Sequence, residues 1–233
     1  MDNLIKDPKA IGIAILEGVV PSLLWLWFWL KEDREDPEPV GLLAFCFFIG
    51  MLLIFIVLPI QQFVQSNVTS NEFRIICWAS IEEIMKLLAV FIVLYKTTYI
   101  DKPIDWPIFL ITVALGFAAF ENILFLIKPL SLGQATVGLM TGQLRFLGST
   151  LLHTVSSGMI GIALGLSFYL GKIKKKFYLF VGIILAIALH SGFNFFIMNN
   201  NGSDLFKVFA FLWVATIINL LLFEKLRRMS GEN

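Results

Sequence analysis

The sequence predicts an all-α fold: a polytopic bundle of about seven transmembrane helices, forming one domain over residues 1–233. Three observations predict it. Hydrophobic residues make up 58% of the chain and charged residues only 15%, against about 45–50% and about 25% in an ordinary globular domain. Mean hydropathy is +0.84. The apolar residues fall in runs of about 20, the length a helix needs to cross a bilayer, without the alternation that a membrane strand requires.

The runs are 10–30, 40–64, 73–95, 106–127, 144–170, 177–198 and 205–223. Polar breaks part them: KEDREDPEP at 31–39, QSNVTSNE at 65–72, KTTYIDKPID at 96–105, GKIKKK at 171–176 and NNNGSD at 199–204. The first run is too long for a cleaved signal peptide and is read as a span. Residues 128–143 are too short to span and too apolar for a free loop, which predicts an interfacial or re-entrant piece. Cys46 and Cys77 both sit in apolar runs and are read as small hydrophobic residues rather than a disulfide pair. A net charge of +1 gives no basis for a nucleic-acid partner. Trp25, Trp27, Trp29 and the 23 phenylalanines are predicted to face lipid and the membrane interface.

Lysine and arginine set the expected orientation. Lys6, Lys9, Arg74, Lys128, Arg145 and Lys207 lie on the N-terminal side of a seven-span chain. The opposite side holds almost twice as many, led by Lys172, Lys174, Lys175 and Lys176 and by Lys225, Arg227 and Arg228. The N-terminus is therefore expected outside and the C-terminus in the cytoplasm.

Ionisable groups inside the spans are costly, about 2.5–3.5 kcal/mol each at mid-bilayer, and usually mark function. Here they cluster. The third span holds Glu82, Glu83 and Lys86, the fourth Glu121 and Asn122, the fifth His153, and the sixth His190 and Asn194. Glu82 with Lys86, and His190 with Asn194, are four apart and share a helix face. Successive spans run in opposite directions, so depth is counted alternately from their two ends. Counted so, Glu82, Glu83, Glu121, His153 and His190 all lie roughly 9–15 Å from the N-terminal side, at 1.5 Å per residue.

A single intramembrane histidine is as often a hydrogen-bond partner between helices as a functional group. Two histidines and three glutamates at one level favour a site. Lys86 reads as a counter-ion to a glutamate. Glu17, in the first span, is left as structural. Ser157, Gly161 and Gly165 form a small-residue stripe suited to close helix packing. No serine motif surrounds Ser156 or Ser157, so neither is read as a nucleophile.

Imidazoles and carboxylates in a water-poor site suit hydrolysis by an activated water, with a glutamate as general base. The remaining groups are open to two jobs. They hold Zn²⁺ as a two-histidine, one-glutamate set with an open position, or they orient the water and stabilise an oxyanion by hydrogen bonding. The H-E-x-x-H zinc signature is absent.

Glu82-Glu83-Ile84-Met85-Lys86 resembles the EExxK motif of the PrsW family of intramembrane proteases, and Phe117 through Glu121-Asn122 resembles its FxxxEN motif. His153 with Ser157 and Gly158 resembles the third motif, and His190-Ser191-Gly192-Phe193-Asn194 the fourth. The match runs over about residues 73–199, in order and on successive spans. The related prenyl endopeptidases carry arginine and histidine where this chain has Lys86 and Glu121. The resemblance implies an endopeptidase of membrane-anchored protein substrates in the plasma membrane of a prokaryote, its site open toward the extracytoplasmic face. On that reading Glu82 is the general base and Glu83 tunes or shares its role. Glu121, His153 and His190 hold the water, or the metal if one is required, and Asn194 is an oxyanion donor.

Two rivals remain in other classes. One is a non-catalytic seven-span scaffold of a membrane protease complex, its histidines serving assembly. The other is a proton-coupled transporter, which would be expected to show paired halves or broken helices; no internal repeat is evident.

Overall fold

The computed structural model describes residues 8–31, 37–199 and 205–231. Lys6 and Arg34 of the charge count, most of the 31–39 break and residues 200–204 lie outside them. The secondary structure of the described residues is all helical, with no strand among them. The helices are α1 (Pro8–Leu30), α2 (Val40–Asn67), α3 (Asn71–Val93), α4 (Asp105–Ser131), α5 (Ala135–Arg145), α6 (Leu151–Leu166), α7 (Lys172–Asn199) and α8 (Leu205–Met229); a π-helical segment, Phe146–Thr150, joins α5 to α6.

Among the described residues six helices are long and apolar enough to cross a membrane, counting Thr136–Leu166 as one. The seventh, α3, equals α1 in length at 23 residues. It carries Arg74, Glu82, Glu83 and Lys86, which lower its hydropathy, but it packs between α2 and α7 like the others. Seven long helices thus correspond to the seven apolar runs.

The expected interfacial or re-entrant piece at 128–143 is divided between two long helices. Lys128 to Ser131 extend α4, and Pro129, which cannot donate to a helical ladder, sits in its last turn. Gly133 takes φ +71° and reverses the chain, its N–H bonding the carbonyl of Leu130 at 3.0 Å. The chain then re-enters as α5. Apolar content signalled membrane helix here, and the reversal rests on three residues that a 20-residue window averages away.

Helix α4 is the centre of the bundle, buried along most of its length against α1, α2 and α6. Small residues allow this close approach. Ala10, Ala14, Gly18 and Ser22 form a four-residue stripe on the buried side of α1. Between α2 and α4 the approach is reciprocal: a Cβ at Gly50 would collide with the carbonyl of Val113, and one at Gly116 with that of Phe47. On the outer surface Phe45, Phe48, Phe55, Phe63 and Leu221 are exposed, as a lipid-facing belt requires. Trp29 departs from the expectation. It is 1% exposed and packs on Phe223 with ring centroids 5.2 Å apart. Trp27, by contrast, is exposed. Helix rotation decides which of the two meets lipid.

Candidate active site

Helix α3 supplies three charges in five residues. Glu82 faces α2 and a cavity, Glu83 faces away from that cavity, and Lys86, one turn on, lies between their carboxylates. All three are buried. Lys86 Nζ is 2.8 Å from Glu83 Oε1 and 3.7 Å from Glu82 Oε2. Its ammonium also lies over the ring of Phe117, 4.7 Å from the centroid, a contact strengthened by the exclusion of water.

The carboxylate of Glu83 accepts three hydrogen bonds. Lys86 Nζ and His190 Nδ1 both reach Oε1 at 2.8 Å, and Ser157 Oγ donates to Oε2 at 2.6 Å. A carboxylate only accepts, so Nδ1 of His190 carries a proton. Its Nε2 faces Glu82 Oε2 at 3.7 Å. At His153 the role of Nδ1 is reversed. An ammonium only donates, so Nδ1 accepts from Lys86 at 2.8 Å, and Nε2–H donates to Glu121 Oε2 at 3.2 Å. The two imidazoles meet edge to face, 5.0 Å between centroids.

Glu82 is held differently. Its Oε1 accepts from Gln61 Nε2 at 2.8 Å. Its Oε2 is buried and has no hydrogen-bond partner among the described residues, yet lies 3.7 Å from His153 Nδ1 and 3.7 Å from His190 Nε2. Glu121, on α4, pairs with Arg145, and Arg145 Nε donates to Asn122 Oδ1 at 2.6 Å.

The structure brings five of the six expected site residues onto one cavity. Glu82, Glu121, His153, His190 and Asn194 line a space of ≈ 760 Å³, and Glu83 lies behind its wall. The depth count anticipated this convergence. Gln61 and Arg145 are cavity residues that the sequence did not assign to the site. Gln61, an amide late in an apolar run, is the weak signal a sequence offers for a polar wall. Arg145 was counted with the loop charges because the helix begins well before the apolar run that marked it. Ser157 belongs to the polar network through Glu83, so the stripe it shares with Gly161 and Gly165 serves packing only in part; a Cβ at Gly161 would collide with the backbone of Pro107.

The atoms arranged to bind a cation are one oxygen of Glu82 and one ring nitrogen each of His153 and His190, all within 4.8 Å of one another. Tetrahedral zinc with bonds of about 2.1 Å spaces its ligands roughly 3.4 Å apart, close to the 3.7 Å separations here. The donor set and the unpartnered oxygen of Glu82 fit such an ion once Lys86 gives up Nδ1 of His153. Glu121, in the set expected from sequence, is instead engaged by Arg145 and His153.

Membrane-length helices around a buried carboxylate–imidazole cluster that opens on a cavity define an integral membrane enzyme of the hydrolytic kind. The chain belongs to the PrsW family of intramembrane metalloproteases, whose profile matches residues 38–221. It is 29% identical to Protease PrsW of Shouchella clausii (strain KSM-K16) over 224 residues, 93% of this chain and 96% of the relative. Protease PrsW of Bacillus subtilis (strain 168) is 28% identical over 210 residues, 85% of this chain and 90% of that one. Protease PrsW of Clostridioides difficile (strain 630) is 25% identical over 218 residues, 90% of each. No solved structure matches the chain. The protein is thus an intramembrane protease, and the scaffold reading is not favoured.

Proposed function

We propose that this protease cuts a peptide bond of a membrane-anchored protein substrate inside the Glu82 cavity, using a water activated by Glu82. One observation carries the reading: Glu82 lines the cavity, and its buried, unpartnered Oε2 lies 3.7 Å from Nε2 of His190. A buried acceptor without a donor costs about 1–3 kcal/mol or more, and a water between Glu82 and His190 would relieve it. Glu82 then takes the proton as the water attacks the scissile carbonyl.

Glu83 fixes the tautomer of His190, and Glu121 that of His153. Asn194, one turn beyond His190 and on the cavity wall, would donate to the developing oxyanion. If zinc is bound, Glu82, His153 and His190 would hold it; the ion would supply a Lewis acid for the carbonyl and a more acidic water, and Glu82 would then serve as its ligand rather than as the base. Loading the ion requires Lys86 to release Nδ1 of His153.

The cavity runs toward Gln65 near the end of α2, Met198 near the end of α7 and Leu205 at the start of α8. These ends lie on the same side as the start of α1. The lysine and arginine bias supports assigning that side to the extracytoplasmic face. The test is cleavage of a single-pass substrate by purified protein in lipid. Glu82→Gln and His190→Ala should each abolish it; cleavage at the wild-type level by both variants overturns the assignment.

A further inference from the structure

We infer that Arg145 is a positioning residue for the reaction, holding Glu121 against His153; the inference rests on the reading of the site just given. Arg145 was not among the residues that the sequence motifs pointed to. Its guanidinium engages three side chains of α4 at once. Nε donates to Asn122 Oδ1 at 2.6 Å, Nη2 pairs with Glu121 Oε2, and the guanidinium carbon stands 3.9 Å from the centroid of the Phe125 ring. Nη2 also reaches Ser149 Oγ at 3.0 Å, and that hydroxyl lies 3.4 Å from the same Glu121 oxygen. Both Arg145 and Ser149 line the cavity.

The backbone is shaped for this. At 3.6 residues per turn, residues eight apart overshoot two full turns by about 80°. Arg145 and His153 are eight apart, yet both meet Glu121 Oε2. The π-helical segment Phe146–Thr150 lies between them, and its wider turn takes up the overshoot. Arg145, Ser149 and His153 therefore converge on one carboxylate oxygen. Asn122 closes the arrangement from α4, donating to Thr150 Oγ1 at 2.9 Å within the same π segment.

Arg145 thus acts through Glu121. It fixes the carboxylate that accepts from Nε2–H of His153, so Nδ1 of His153 stays directed at Lys86 and Glu82. Losing such a support to a site group costs about 10–100-fold in activity. Arg145→Gln is therefore expected to lower kcat by about that factor with KM unchanged, since the residue orients the reacting groups rather than the substrate. Arg145→Lys, which keeps the charge but loses the fork, is expected to fall between Arg145→Gln and wild type. The double variant Arg145→Gln/Glu121→Gln should be no slower than Glu121→Gln alone, because both changes remove one interaction.

Wild-type kcat for Arg145→Gln, or full additivity in the double variant, overturns the inference while a slow Glu121→Gln leaves the reading of the site standing. Wild-type kcat for Glu121→Gln overturns both. Should Arg145→Gln fail to fold, Arg145→Lys carries the test alone, and a wild-type kcat there overturns the inference.

Discussion

Gln61 donates its side-chain amide to Oε1 of Glu82 at 2.8 Å, and the other oxygen of that carboxylate is left facing His153 and His190. The amide sets the rotation of the carboxylate. The backbone carbonyl of Gln61 in turn accepts from Trp78 Nε1 at 3.2 Å, tying α2 to α3 beside the site.

Gln61→Leu should therefore slow catalysis without unfolding the protein. A hydrogen bond to a charged group is worth about 1.5–3 kcal/mol, which predicts a fall in kcat of roughly 10–100-fold. Substrate cleavage by the purified variant, with its helical circular dichroism as the control for folding, checks this. An unchanged kcat would show that Glu82 is aimed by something else.

Glu83 is expected to matter for stability as well as for activity. Glu83→Ala strands the Lys86 ammonium in the core and removes the acceptor of His190 Nδ1–H. Breaking one side of a buried pair costs about 3–5 kcal/mol, so the unfolding midpoint in detergent should drop sharply. Ser157→Ala removes one neutral donor to the same carboxylate and should cost less, about 0.5–1.5 kcal/mol. Equal losses for the two variants would contradict the ordering.

Lys86 holds the ring nitrogen of His153 that a metal would use. Lys86→Met keeps a long apolar stem and removes the competing cation. Titration of metal-free protein with zinc should then show tighter binding in Lys86→Met than in wild type. Binding no tighter than wild type would mean that Lys86 and zinc do not compete. A reduced unfolding midpoint is expected alongside, since Glu83 loses its partner.

The close approach of α2 and α4 predicts a contrast between glycines. Gly50→Ala and Gly116→Ala each push a methyl group into a backbone carbonyl of the facing helix, where overpacking costs about 1–3 kcal/mol. Gly12→Ala meets nothing within 4 Å and should be neutral or stabilising by about 0.5–1 kcal/mol. Thermal unfolding in one detergent orders the three, and a Gly12→Ala variant as unstable as Gly50→Ala would rule out the packing explanation.

Sequence alone determined that this is an all-helical membrane protein of about seven spans, and that glutamates and histidines from four helices lie at one depth. Those are local properties: run length, and the number of residues between a polar group and the end of its span. It also placed the charged motifs in the order that resembles the PrsW family. Rotation about each helix axis is not local, because it depends on which small residues let neighbouring helices close up. Only the tertiary structure decided that Trp29 is buried while Trp27 is exposed, and that residues 128–143 close one helix and open the next in a helical hairpin. It alone brought Gln61 to Glu82 and Arg145 to Glu121, pairs formed across different helices. It also separated the adjacent glutamates of α3. About 100° apart on the helix, Glu82 lines the cavity and keeps one oxygen unpartnered, while Glu83 is enclosed by Lys86, His190 and Ser157.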